Sequence, residues 1–243
     1  MLPQILGCYQ SQKHERMGNA GGSSRDFTQH INWLALRLDP ARILVFPLDD
    51  KNLPLPLQKT VPAEEFLAHF LPSPLLFGER LAPAAAALSR LLRGAGANLD
   101  QNALPDAERA LFTIVLVALS MAGARDDDAA VLHVLEKGGA GDPDGHIQKA
   151  TINAFGIHLR KQKNYDAAAA YYRKALELAP GDERILFNLA RALFEKGDPA
   201  GCRELLEQAL ASDAQFPEAQ KFLRYLDRQD KPAGPRDFPD ITI

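Results

Sequence analysis

The chain has 243 residues, of which 46% are hydrophobic and 24% charged, with a formal net charge of −3. That length supports one large or two modest domains burying roughly 70–75% of the unfolded surface, and the charge offers no general attraction for phosphate backbones or anionic lipid, which argues against nucleic acid and membrane as partners. Two cysteines, Cys8 and Cys202, make no disulfide framework in a chain of this size, so the protein reads as cytoplasmic.

The opening "MLPQILGCYQ" sets a small residue before a cysteine, as a lipoprotein signal does. It has no basic leader and few apolar residues, and is not read as one. Residues 1–25 are expected to be a flexible arm, because "QSQKHERMGNAGGSSR" (10–25) is polar and ends in a glycine-serine cluster. "WLALRL" (33–38) alternates like a strand, with a helix over 26–38 as the competing reading. "RILVFPL" (42–48) and "LPLPLQKTV" (53–61) complete a small meander, the prolines confining the last piece to an edge or extended segment. Pro62 then opens a helix carrying Phe66, Leu67 and Phe70, and a second helix runs through Leu92 to Gly94. Residues 26–103 thus form a small mixed α/β region, closed by the linker "GAGANLDQN" (94–102).

From Pro105 the pattern is helical. "ALFTIVLVALSMAGA" (110–124) spans 15 residues, too few to cross ~30 Å of hydrocarbon, and reads as a buried helix. The tail at 230–243, with three prolines, is expected to be extended or disordered.

Residues 104–229 carry an internal repeat. Sliding the sequence by 34 places Ile152, Phe155, Gly156 and Leu159 over Leu186, Leu189, Ala190 and Leu193, and Ala168, Tyr172 and Ala175 over Cys202, Leu206 and Ala209. On these small and large positions, with Pro180 as closing proline, residues 149–216 resemble two tetratricopeptide repeats. Ala214 replaces the proline in the second copy. A degenerate copy over 111–148 places Ala118 and Ala130 at the small positions, and "FPEAQKFLRYLDRQ" (216–229) resembles the closing helix. The resemblance implies a mainly α, tetratricopeptide-type solenoid of about three helical hairpins plus a capping helix. Small residues let paired helices approach, Gly156 against Ala168 and Ala190 against Cys202, while Tyr172 and Leu176 seal the seam. Asp166, Asp182 and Asp198 are read as helix starts, and Cys202 as a small buried hydrophobe.

The first helix of each such pair lines a concave groove. By resemblance the groove-facing residues are Asn153, Ile157 and Arg160, then Arg184, Phe187, Asn188, Arg191 and Phe194. Arginines beside phenylalanines suit an acidic peptide or protein segment with an apolar anchor; the competing reading is that the N-terminal region or the tail covers Phe187 and Phe194, and for Phe194 it explains the residue equally well. The family's lysine–asparagine clamp for chaperone carboxy-termini is not transferred, because Ile157 and Glu218 stand where asparagine and lysine are needed.

Catalytic and metal motifs are not found. The six histidines show no zinc spacing, and "GDPDG" (141–145) lacks the remaining oxygens of a calcium loop. "GAG" at 94–96 and at 139–141 lacks the third glycine of a dinucleotide site. "RDDD" (125–128) reads as a helix start, and Cys8 with His14 lacks a scaffold for catalysis. The expectation is a non-enzymatic interaction module with no cofactor and no metal. The alternatives are a secretion-type chaperone shielding apolar segments, an enzymatic or regulatory N-terminal region carried on the repeats, and self-association through "DFPDITI".

Overall fold

A computed structural model of the chain describes residues 1–18, 24–95, 99–140, 142 and 145–229. Residues 96–98 of the expected linker, most of the "GDPDG" turn and the tail at 230–243 lie outside the described residues, together with the expectations attached to them. Two compact units emerge, Met1–Thr151 and Ile152–Ile243.

The first unit is built on an antiparallel sheet of β1 (Gln4–Gly18), β2 (Ser24–Arg37), β3 (Arg42–Pro47), β4 (Lys59–Pro62) and β5 (Phe70–Pro72), in the order β4-β3-β2-β1-β5. The flexible arm expected at 1–25 is therefore corrected over residues 4–18 and 24–25, where β1 pairs with β2 from Gln4↔Arg37 to Gly18↔Ser24, while its residues 19–23 lie outside the described residues. Polar side chains do not prevent strand pairing, because the ladder is made by backbone amides and carbonyls. The strand is anchored where Ile5, Leu6, Cys8 and Tyr9 are buried, and Trp33 Nε1 donates to Ser11 Oγ at 2.8 Å. Gly7 sits where the register shifts, at φ 107°, and a Cβ there would fall 2.0 Å from Gln148 Nε2. Glycine suits both the bulge and the close approach.

Strand wins over the helix alternative at 26–38. Leu34, Ala35 and Leu36 are all fully buried, so both faces of β2 are covered at this point. The third meander segment is shorter than expected. Pro54 and Pro56 donate no amide hydrogen, so pairing thins to an isolated bridge, Leu48↔Pro54, before β4 begins at Lys59.

Helices α1 (Ala63–His69) and α2 (Pro74–Leu76) lead through a π-turn at Phe77–Leu81 into α3 (Ala82–Ala95), then α4 (Asp106–Met121) and α5 (Asp128–Leu135). Asp127 caps α5 by accepting from Ala130 N at 2.8 Å. Leu34, Leu36 and Phe46 of the sheet share one core with Leu88 of α3, Val115 and Leu119 of α4, and Val131 and Val134 of α5. The small residues Ala118 and Ala130 are buried in that same core. The division of the chain therefore falls within 151–152 rather than after residue 103, because α4 is apolar on most of its circumference and is enclosed by the sheet and its neighbours.

The second unit begins inside α6 (His146–Lys161) and continues with α7 (Tyr165–Leu178), α8 (Glu183–Lys196), α9 (Pro199–Ser212) and α10 (Pro217–Gln229). These are consecutive helical hairpins closed by an amphipathic helix. Asp182 caps α8 by accepting from Arg184 N and Ile185 N, and Asp198 caps α9 by accepting from Gly201 N at 2.9 Å. At α7 the cap is Asn164, while Asp166 lies in the first turn. Ala190, Cys202, Leu206 and Ala209 share a core with Phe187, Phe216 and Phe222. Gly156 makes the expected close approach with a different partner. The atoms nearest a Cβ at 156 belong to the Tyr172 ring, at 2.5 Å, rather than to Ala168.

Candidate functional site

The residues expected to line a groove come from α6 and α8. Two contacts fix how these helices lie. Asn188 Nδ2 donates to Asn153 Oδ1 at 3.0 Å, and Arg160 Nη1 meets Glu195 Oε1 at 2.7 Å. Both pairs are 35 residues apart in sequence, and they stand two helical turns from each other. Equal offsets at both points mean that α6 and α8 run parallel and side by side over about 10 Å.

One end of this seam is charged. The Arg160 side chain is 12% exposed and Glu195 21%, so the pair is held largely out of water. Arg191 lies half-buried one turn before Glu195 on α8. Burial lowers its guanidinium pKa, the neighbouring positive charge of Arg160 lowers it further, and Glu195 opposes both effects. Tyr172 closes the inner side of the cluster. Its phenol is pushed up to about 12 by burial, which outweighs the opposing pull of Arg160 and Arg191. Two guanidiniums, one carboxylate and one neutral phenol thus act on one another within a single polar cluster.

The other expected groove residues divide. Arg184 is exposed at the start of α8, and Ile157 is half-exposed on α6. Asn188 is buried and bound to Asn153. Phe187 is corrected from groove to core: it is 0% exposed, with its ring 5.4 Å from Phe216 and 6.0 Å from Phe222. Phe194 is half-buried, 5.2 Å from Phe222 and 5.9 Å from Tyr225. Helix α10 covers both, since a terminal repeat without such a cover would leave an apolar face in water. Glu195 and Tyr172 were not foreseen as members of the site. Their signal was present, Glu195 being four residues after Arg191 on the same helix face.

In the first unit Cys8 is buried and its thiol is pushed above its ordinary range by that burial, so it offers no ready nucleophile. Among the described residues no three histidine, cysteine or acidic side chains are placed to hold a metal ion, and no helix is long and apolar enough to cross a membrane.

A family model described as Tetratricopeptide repeat matches residues 159–224. The match runs from the end of α6 into α10 and contains both α7–α8 packing and the α8–α9 hairpin. Segments of this family are in general protein–protein interaction modules and typically non-catalytic.

Proposed function

From a tetratricopeptide-repeat segment at residues 159–224, we propose that the second unit docks a segment of another protein along the seam between α6 and α8. The observation that carries this reading is the largely buried polar row in which Arg160, Glu195 and Arg191 continue the Asn153–Asn188 pair. Arginines held partly out of water recognise carboxylates with charge-assisted, often paired hydrogen bonds. An acidic segment in extended conformation is the partner this face suits, with Ile157 and Arg184 at its margins.

The apolar anchor expected from sequence is not part of the proposal, because Phe187 is buried and Phe194 lies against α10. The same observation disfavours a chaperone trough for apolar segments.

The test is affinity capture from the native source with the wild-type chain beside an Arg184→Ala, Arg191→Ala double variant. Captured proteins are then purified and their affinity for both chains measured directly. Loss of at least one partner from the variant, with weaker direct binding, is expected. Equal recovery and equal affinity for every captured protein would remove the seam assignment.

A further inference from the structure

We infer that the outer edge of β1 from Gln12 to Arg16 is a self-association surface, on which a second copy of this chain lays the same stretch of β1, antiparallel about His14. The inference goes beyond the docking seam and does not rest on it.

The sheet of the first unit is not equally wide along its length. β3 pairs with β2 only from Trp33 to Arg37, and β5 pairs with β1 only from Tyr9 to Ser11. β1 and β2 continue together for seven further pairs, from Gln12↔His30 to Gly18↔Ser24. Over that length they form a two-stranded ribbon, with no third strand among the described residues. Two strands alone are marginal in water, and three or more give independent stability. Each free edge presents a row of backbone donors and acceptors ready for another strand.

The neighbours of β1 fix which of its backbone groups face outward. Ser73 N donates to Cys8 O at 2.8 Å on the β5 side. Backbone groups alternate along a strand, so Gln12, His14 and Arg16 turn theirs to the same side. Two copies of β1 pair only where outward residues meet outward residues. Centred on His14, Gln12 meets Arg16 of the second copy and His14 meets its own counterpart, through about six backbone hydrogen bonds. Pairing stops there, because β5 occupies the edge at Ser11.

Charge selects this register. Lys13 stands opposite Glu15 of the second copy, and the twofold axis repeats the pair. Both fall at the closer, non-hydrogen-bonded positions. A register centred on Glu15 is longer but sets Glu15 against itself, and like charges directly opposite are unfavourable. Within the ribbon, Lys13 and Glu15 lie across from Gln29 and Phe27, which are uncharged. The free edge of β2 offers no equivalent. Its Arg25 and Asp26 are consecutive, so they alternate in direction and meet in no self-paired register.

The test is sedimentation equilibrium of the full chain at concentrations up to about 0.1 mM. Wild type is compared with Lys13→Glu, with Glu15→Lys, and with an equimolar mixture of the two variants. Wild type is expected to dimerise. Each variant alone sets like charges opposite one another at two places, and its dimer dissociation constant should rise roughly tenfold or more. In the mixture, a Lys13→Glu chain facing a Glu15→Lys chain restores both opposite-charge pairs, so a heterodimer about as tight as the wild-type dimer should form. His14→Pro removes an outward amide and should also dissociate the dimer. Ile241→Pro, in the tail, should leave it intact.

A wild-type chain that stays monomeric throughout overturns the inference. So does a dimer that either charge variant retains at wild-type strength, or a mixture no more associated than its components. Loss of the dimer in Ile241→Pro would give the edge to the tail of a second copy and overturn self-pairing of β1. The exchange of charges decides the matter whether or not His14→Pro folds.

Discussion

Replacing Gly156 with alanine adds one methyl group, and that methyl would stand 2.5 Å from Tyr172 Cε1 and 2.9 Å from its Cδ1 and Cζ. Carbon atoms in good packing lie about 3.5–4.0 Å apart, so ring and helix must separate by about 1 Å. The ring cannot simply turn aside. Tyr172 is fully buried, and what the methyl meets is the ring itself rather than the end of a flexible chain. Overpacking of this kind costs about 1–3 kcal/mol. With three ring atoms inside 3.0 Å the cost falls in the upper part of that range, about 2–3 kcal/mol, and alanine returns about 1 kcal/mol through its better helix propensity, which leaves a net loss of about 1–2 kcal/mol. For a unit of this size each kcal/mol moves the midpoint by roughly 4–8 °C. The assay is thermal and urea unfolding of the full chain followed by far-ultraviolet circular dichroism, with amide hydrogen exchange to locate the loss in α6 and α7. Tyr172→Phe keeps the ring, so Gly156→Ala should cost as much in that background. Tyr172→Leu removes the ring, and the two changes should then couple by at least about 1 kcal/mol. A Gly156→Ala chain as stable as wild type would refute the close approach of α6 to α7.

Other outcomes follow from the same packing. Asp198→Ala removes the cap on Gly201 N and should destabilise the second unit by about 1 kcal/mol, read by urea unfolding. Phe222→Ala removes the ring that covers both Phe187 and Phe194, should cost about 3–5 kcal/mol, and should raise binding of a hydrophobic dye. Burial pushes the Cys202 thiol up from its ordinary 9.0 to about 12. The folded state therefore holds this proton where the unfolded state has lost it, and the stability concerned is complete below about pH 9 and lost as pH rises toward 12. Unfolding midpoints measured across that window should fall less steeply for Cys202→Ala than for wild type. A thiol reagent at neutral pH should label Cys202 only after denaturation.

The local grammar of the chain was legible from the residues. The small–large repeat at 152–209, the aspartate caps at 182 and 198, and the closing helix at 217–229 are encoded within a few turns of where they act, so spacing alone carries them. The polar stretch at 10–18 misled, because strand pairing through the backbone leaves little trace in side-chain polarity. Tertiary structure decided what each helix face meets. Phe187 and Arg191 stand four residues apart on one stripe, yet Phe187 lies under α10 and Arg191 beside Arg160 and Glu195. It also decided that α4 and α5 share a core with the sheet. Periodicity tells a helix which side to bury; only the neighbour that arrives from another helix determines whether that side becomes core or a polar seam.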